Sequence, residues 1–427
     1  MPENNPVPHL TTALTGPLLD LETHLLDNQA KIETWLRSQW RKTPAPFYAS
    51  VDLRNAGFKL APVDTNLFPA GFNNLSDSFM PLCIQAVQAA VEKVCPDASG
   101  VLIIPESHTR NLFYLESLYQ LKEIIARAGF NVRVGTLNPD IEEATTFDLP
   151  SGVQLLLEPI ERVGDRIKAG DFDPCSILLN NDLSGGRPAI LEGLKQEVIP
   201  PLSLGWSNRF KSAHFAEYRR VCFEFAEIVD IDPWLVDPMF RKCGEINFKQ
   251  RDGEECVAKN VEALLVDIRR KYETYGVDKA PFVIVKADAG TYGMGIMTVH
   301  DPAEIFELNR KQRTKMSSAK EGQKVSQVLV QEGVYTFETW NDAVAEPVVY
   351  MIDKNVVGGF YRVHKNKGPN ENLNAPGMHF EPLAFAQPLN TPDITMEPDA
   401  GPNRFYAYGV VARLALLAAA REIAGAK

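Results

Sequence analysis

Between Pro281 and Val299 the chain reads PFVIVKADAGTYGMGIMTV, a β-branched run that ends in a lysine and passes straight into a loop punctuated by glycines. Phe282 to Val285 has the composition of a buried strand, which would fix Lys286 at its end. Gly290, Gly293 and Gly295 carry no Cβ, so backbone amides there can approach phosphate oxygens closely while the lysine adds a fixed positive charge. The order of the parts excludes two common nucleotide motifs, because a P-loop puts its lysine at the end of the glycine loop and a dinucleotide fingerprint opens a helix. Here the lysine comes first. Ile296 to Val299 is again strand-like, so the glycines would bend a hairpin over a ligand. A tight hairpin with an incidental lysine is the competing reading.

A chain of 427 residues exceeds the size at which one hydrophobic core stops growing, so two or three domains sharing a cleft are expected. The net charge of -11 excludes a general nucleic-acid or polyanion binder, which would need clustered Lys and Arg. No apolar run approaches the ~20 residues that cross a bilayer, and the opening MPENNPVPHL lacks the basic and apolar regions of a signal peptide. A cytoplasmic location without a membrane partner is the expectation. Cys83, Cys95, Cys175, Cys222, Cys243 and Cys256 are scattered, with no C-x-x-C pair, and read as reduced thiols.

Leu21, Leu25, Ile32 and Leu36 fall near helical spacing, so Leu18 to Trp40 reads as an amphipathic helix ending before Pro44 and Pro46. Val51 to Leu75 mixes Asp52, Arg54, Lys59, Asp64, Asn66 and Asn73 with glycines and prolines, and reads as a substrate-recognition loop in which Arg54 and Lys59 suit a carboxylate. Val101 to Pro105, Asn111 to Ala128 and Asn131 to Leu137 form a β-α-β pattern, with Glu106 to Arg110 at the strand's carboxyl end, where open α/β sheets bind ligands. His108 in that segment has no nucleophile partner at recognisable spacing. Ser176 to Asn180 reads as a further strand, Ser207 to Val229 and Glu254 to Tyr275 as long helices, the segment near Pro302 to Arg313 as a further helix, and the basic stretch Lys311 to Lys324 as a solvated loop.

After the strand VSQVLV come Gln331, Glu332, Gly333 and Val334, the pattern of an adenine hinge, whose backbone groups would meet the base edge while apolar flanks sandwich the ring. An ordinary strand end is the alternative. Glu346 to Val363 reads as two strands joined by a turn at Asp353 to Asn355, with Arg362 placed either to clamp a phosphate or to form a surface salt bridge. NENLNAPGMHF follows, with Asn372 and Asn374 ahead of Pro376 and Gly377.

In this order, Lys211, Lys286 with its glycine loop, the Gln331 to Val334 hinge, Arg362 and the NLNAPG loop resemble the ATP-grasp ligases, glutathione synthetase in particular. The runs VDLRNAGFKLAPVDTNLFPAGFNNL and KADAGTYGMGIMTV resemble more closely a bacterial family of glutamate-cysteine ligases built on that fold. The resemblance implies an α/β architecture: an N-terminal Rossmann-like substrate domain over residues 1–205, then an ATP-grasp region over 206–427, with 206–330 carrying the glycine loop and 331–427 the C-terminal part.

It also implies ATP- and magnesium-dependent joining of the γ-carboxylate of glutamate to the amino group of cysteine, with small-molecule partners and room for a homo-oligomer. Lys211, Lys286, Gly290, Gly293 and Gly295 would then bind ATP phosphates, Gln331, Glu332 and Val334 the adenine, and Arg54, Lys59 and Asn66 the substrate. Arg362 and Asn372 would face the phosphoryl group. Another carboxylate-amine ligase, or a nucleotide-binding regulatory protein, would share much of this pattern.

One departure stands out. Related synthetases carry metal-holding carboxylates and an E-x-N strand beyond the asparagine loop, whereas here the only later regular element is the apolar helix Phe405 to Ile423. Either Asn372 and Asn374 hold the metal, or its ligands come from elsewhere, with Glu346 and Asp353 as candidates.

Overall fold

The computed structural model describes residues 19–95, 100–107, 110–289, 295–317, 325–382 and 405–425. The first part runs α1 (Asp20–Asp27), α2 (Gln29–Lys42), β1 (Tyr48–Asn55), β2 (Leu60–Asn66), α3 (Met80–Val94), β3 (Gly100–Pro105), α4 (Leu112–Arg127) and β4 (Asn131–Thr136). Six short strands follow: β5 (Thr145–Asp148), β6 (Gln154–Pro159), β7 (Glu161–Val163), β8 (Arg166–Lys168), β9 (Ser176–Asn180) and β10 (Glu197–Ile199). Next come α5 (Lys211–Val229), β11 (Phe240–Gly244), α6 (Glu254–Tyr275), β12 (Val283–Ala287), β13 (Ile296–Val299), α7 (Arg310–Met316) and β14 (Gln327–Glu332). The chain closes with β15 (Thr339–Trp340), β16 (Ala343–Ile352), β17 (Asn355–His364), β18 (His379–Pro382) and α8 (Tyr406–Gly425).

These strands build three larger sheets. One runs β10-β9-β3-β4-β6-β5, parallel except for β5 on β6, and contains the expected β-α-β unit. A second, antiparallel, runs β11-β14-β12-β13 and carries the lysine hairpin. The third runs β18-β17-β16-β1-β2, with β15 beside β16. Helices cover these sheets, so the α/β class read from the sequence holds.

Several expectations are corrected. The first helix is two, α1 and α2, broken at Asn28, whose side chain bonds the His24 carbonyl at 3.0 Å. The supposed recognition loop is the hairpin β1–β2, whose backbone is committed to a sheet, with Tyr48 to Asp52 pairing against Ile352 to Val348. The basic stretch at 311 opens in α7, where Asn309 and Gln312 form a reciprocal capping box. Strands from either side of the division at 205 thus share one sheet. His108, Gly290 and Gly293 lie outside the described residues.

Helix α8 sits in the core, with every residue from Tyr406 to Ala420 buried, packed against α5, β2 and α1. Its many alanines let those elements approach closely. Arg413 is buried with them, but its guanidinium meets the Glu33 carboxylate at 2.7 and 2.9 Å, so its charge is compensated. No described helix is long and apolar enough to cross a membrane.

Candidate active site

Lys286 lies in β12 between Leu329 of β14 and Ile296 of β13, the rigid setting its flanking valines suggest. Its ammonium donates to the Val63 carbonyl at 2.7 Å and lies 5.1 Å from the centre of the Phe215 ring. Burial pushes its pKa down to about 7, with Lys211 pushing the same way against the pull of Asp64, Asp52 and Asp288.

Asp288, just beyond that strand, is buried and accepts from the Ser212 amide and hydroxyl at 2.7 Å each, while its carbonyl takes the Lys211 amide at 2.7 Å. One acid therefore pins the start of α5 against the end of β12 and fixes the two lysines relative to each other. The Lys211 ammonium bonds both Asp64 oxygens, at 2.7 and 2.9 Å, 4.1 Å from the Trp206 ring centre. Burial opposes charge on Asp64, yet Lys211, Lys286 and Arg209 hold its carboxyl well below the usual range.

The third sheet supplies the opposite wall. Asp52 stands across from Asp64 on β1 and β2, and Glu346 across from Arg362 on β16 and β17. Arg362 Nη1 bonds Asp52 at 2.8 Å and Glu346 at 2.6 Å. The other Glu346 oxygen takes Arg54 Nε at 2.9 Å, and Arg54 also donates to the carbonyls of Val334, at 3.2 Å, and Glu371. Burial works against the Glu346 charge, but the two arginines hold its pKa below the ordinary value. For Asp52 burial wins and the pKa rises, despite Arg362 and with Glu346 adding repulsion. Arg362 Nε is buried and has no partner among the described residues.

These groups line one cleft, together with Gln331, Glu332, Val334, Asn372 and Asn374. The lining thus combines two lysines and two arginines with the acids Asp52, Asp64, Glu332 and Glu346 and with apolar Val63, Ile284 and Ile296.

The family model for glutamate-cysteine ligase (GshA) matches residues 22–423 of the chain. The chain belongs to the glutamate-cysteine ligase family. It is thus an enzyme that ligates small molecules. A solved structure from Methylobacillus flagellatus KT, described provisionally as a gamma-glutamylcysteine synthetase, is 63% identical over 99% of both chains, with a TM-score of 0.89. A glutathione synthetase-like effector from Globodera pallida is 9% identical over 81% of this chain and 77% of its own, with a TM-score of 0.33. D-alanyl-alanine synthetase A from Vibrio cholerae is 12% identical over 60% and 68%, with a TM-score of 0.29. No curated protein matches the chain.

In this family member the cleft brings together Lys211, Lys286, Gln331, Glu332, Val334, Arg54, Arg362, Asn372 and Asn374. Gly295 lies at its edge with φ of 63°, its carbonyl taking the Ala287 amide at 3.1 Å. Lys59 and Asn66 do not join them as substrate ligands. The Lys59 ammonium is buried on Glu332 at 2.7 Å and the Asp237 carbonyl at 2.8 Å, and the Asn66 side chain closes a local turn onto Phe68 at 2.9 Å. Arg54 does reach the cleft, but its donors hold protein groups.

The segment from Gln331 to Val334 is held on both sides. The Glu332 carboxylate also accepts from Trp234 Nε1 at 2.9 Å and the Met239 amide at 3.1 Å, and the Gly333 amide bonds the Phe282 carbonyl at 2.9 Å. A Cβ on Gly333 would stand 2.2 Å from the Phe282 ring. Gly333→Ala is therefore expected to destabilise the protein by about 1–3 kcal/mol through overpacking and to weaken ATP binding, both measurable by urea unfolding and nucleotide titration.

Asp52, Asp64 and Asp288 were not identified from the sequence as site groups. For Asp64 a signal existed: the acid-x-Asn spacing sought near the C-terminus occurs instead at Asp64-Thr65-Asn66, on a strand that sheet pairing carries to the cleft. Asp353 is not brought there; it sits at the β16–β17 turn with φ of 50° and pairs with Lys93.

The described residues contain no group of three or more His, Cys, Asp or Glu side chains able to hold a metal. Magnesium, however, prefers oxygen ligands and commonly binds through one or two carboxylates plus substrate phosphates. The Asp64 side chain, 38% exposed toward the cleft, with Asp52, Glu346 and the side-chain oxygens of Asn372 and Asn374, fits that requirement.

Proposed function

We propose that this cleft binds ATP with Mg²⁺ and makes γ-glutamylcysteine through a γ-glutamyl phosphate. The observation that carries the reading is the convergence of Lys211, Lys286 and Arg362, from a helix end and two different sheets, on one pocket walled by Asp52, Asp64 and Glu346. Phosphoryl transfer needs positioned cations and water exclusion more than a nucleophilic side chain, and this pocket has that composition. Its ATP-grasp character rests on the order of the motifs.

Lys286 and Lys211 hold the phosphates, Lys211 exchanging Asp64 for a phosphate oxygen. Arg362, which lines the same pocket, stabilises the charge on the transferring group. A glutamate γ-carboxylate oxygen attacks the γ-phosphorus and ADP departs. The cysteine amine then attacks the acyl carbon, inorganic phosphate leaves with the C–O bonding pair, and the amine loses its proton. Mg²⁺, when bound, neutralises phosphate charge, with Asp64, Asp52, Glu346, Asn372 and Asn374 as its candidate ligands.

The test is phosphate release from ATP and Mg²⁺ with glutamate and cysteine supplied singly and together, with mass detection of the product. Release requiring both, with γ-glutamylcysteine formed, is expected. Release supported by a different amine or acid would make the chain another carboxylate-amine ligase, and binding without release would overturn the reaction.

A further inference from the structure

Away from the cleft two thiols meet. Cys243 is buried in β11, and Cys256 is exposed in the first turn of α6. Their sulfurs are 2.8 Å apart, approaching the ~2.05 Å of a covalent S–S bond. Asn260, one turn along α6, donates to Cys243 Sγ at 2.9 Å and to the Cys256 carbonyl at 3.0 Å, so its amide lies against both cysteines.

The intervening loop holds this spacing. Asn247 and Asp252 exchange backbone hydrogen bonds of 3.0 and 3.1 Å, the Ile246 amide bonds the Ser326 carbonyl at 2.9 Å, and Arg251 bonds Glu254 at 2.9 Å. Gly253 adopts φ of 80°, where a Cβ would stand 2.5 Å from the Ile246 side chain. The loop is therefore fixed at both ends and in the middle, and joining the sulfurs requires little movement.

We propose that Cys243 and Cys256 form a reversible thiol–disulfide site that exchanges with low-molecular-weight disulfides such as cystine. Cys256 is the entry point, because it is exposed whereas Cys243 is buried. Its sulfur attacks one sulfur of cystine, forming a mixed disulfide and releasing one cysteine. Cys243 then attacks Cys256 Sγ, closing the internal S–S bond and releasing the second cysteine. The two protein thiols are oxidised, the cystine is reduced, and both thiol protons end on the released cysteines. Burial pushes the Cys243 thiol up to about 12, with Cys256 pushing the same way, so Cys243 is a poor nucleophile toward disulfides in solution and attacks only in the second, intramolecular step, where proximity offsets its small thiolate fraction. The site does not depend on the ligase reading, since it involves no group of the cleft.

The full-length protein would be treated with cystine, and its thiols counted and its intact mass and peptide map recorded. Of the six cysteine thiols, two should disappear, with the mass falling by two hydrogens, a 243–256 link in the map, and reversal by a dithiol reductant. Cys243→Ser should instead trap a half-cystine adduct on Cys256, and Cys256→Ser should give neither product. Six persistent thiols, a wild-type adduct that never resolves, or a link between other cysteines would each overturn the proposal.

Discussion

Lys286→Met is expected to lower ATP turnover by about 10²–10³-fold, the usual cost of removing one preorganised electrostatic donor, while leaving the protein folded. The native ammonium is buried and makes one hydrogen bond to a carbonyl, so methionine fills the same channel without a charge to solvate. The folded pKa of about 7 lies below the ordinary 10.5. Below pH 7 both folded and unfolded chains carry the proton, and the full cost of the buried charge lowers stability. Between 7 and 10.5 the unfolded chain binds more protons, so this lysine makes wild-type stability rise with pH, a rise that Lys286→Met should lack in urea unfolding. For the nucleotide the sign reverses. Phosphates favour the ammonium, so ATP affinity should weaken as pH rises through about 7, and Lys286→Arg, which stays charged, should flatten that profile. Parallel profiles in the two proteins would place the phosphate clamp elsewhere.

Glu346→Ala is expected to destabilise the protein by about 3–5 kcal/mol, because removing one partner strands buried charge, here on two guanidinium groups. Turnover should fall as well, since Arg362 would keep only Asp52 to orient it. Thermal unfolding alone would not separate these effects. A double variant, Arg54→Met with Glu346→Met, removes one charge of each sign and should recover much of the stability but little of kcat. Wild-type kcat in that variant would show that Glu346 serves packing only.

What was legible in the sequence was whatever local pattern determines. The β-branched run before Lys286, the turn before Asn355 and the long amphipathic periods of α5 and α6 all mark their own elements. The β1–β2 hairpin was misread because Asp52, Arg54 and Asp64 look solvated, whereas they face the cleft and pair with groups supplied by distant strands. Lys59 was misassigned for a related reason: its carboxylate partner, Glu332, lies 273 residues away and turns an apparent ligand into a strut behind the hinge. The helix expected near Pro302 to Arg313 is met in part by α7, whose start at Asn309, followed three residues later by Gln312, is marked in the sequence, while the run of basic charges obscured its continuation to Met316.

The pairing of β1 with β16 also bears on how the molecule is born. Arg54 and its partner Glu346 are separated by 292 positions. Contacts that distant close slowly, since the intervening chain must be gathered first, although the entropic cost grows only with the logarithm of its length. A chain still emerging from the ribosome therefore displays Asp52 and Asp64 with no arginine opposite them, and a fragment lacking β16 and β17 never acquires one. Only a molecule synthesised past Arg362 has both walls of the cleft, so unfinished or clipped copies have no assembled centre with which to hydrolyse ATP idly.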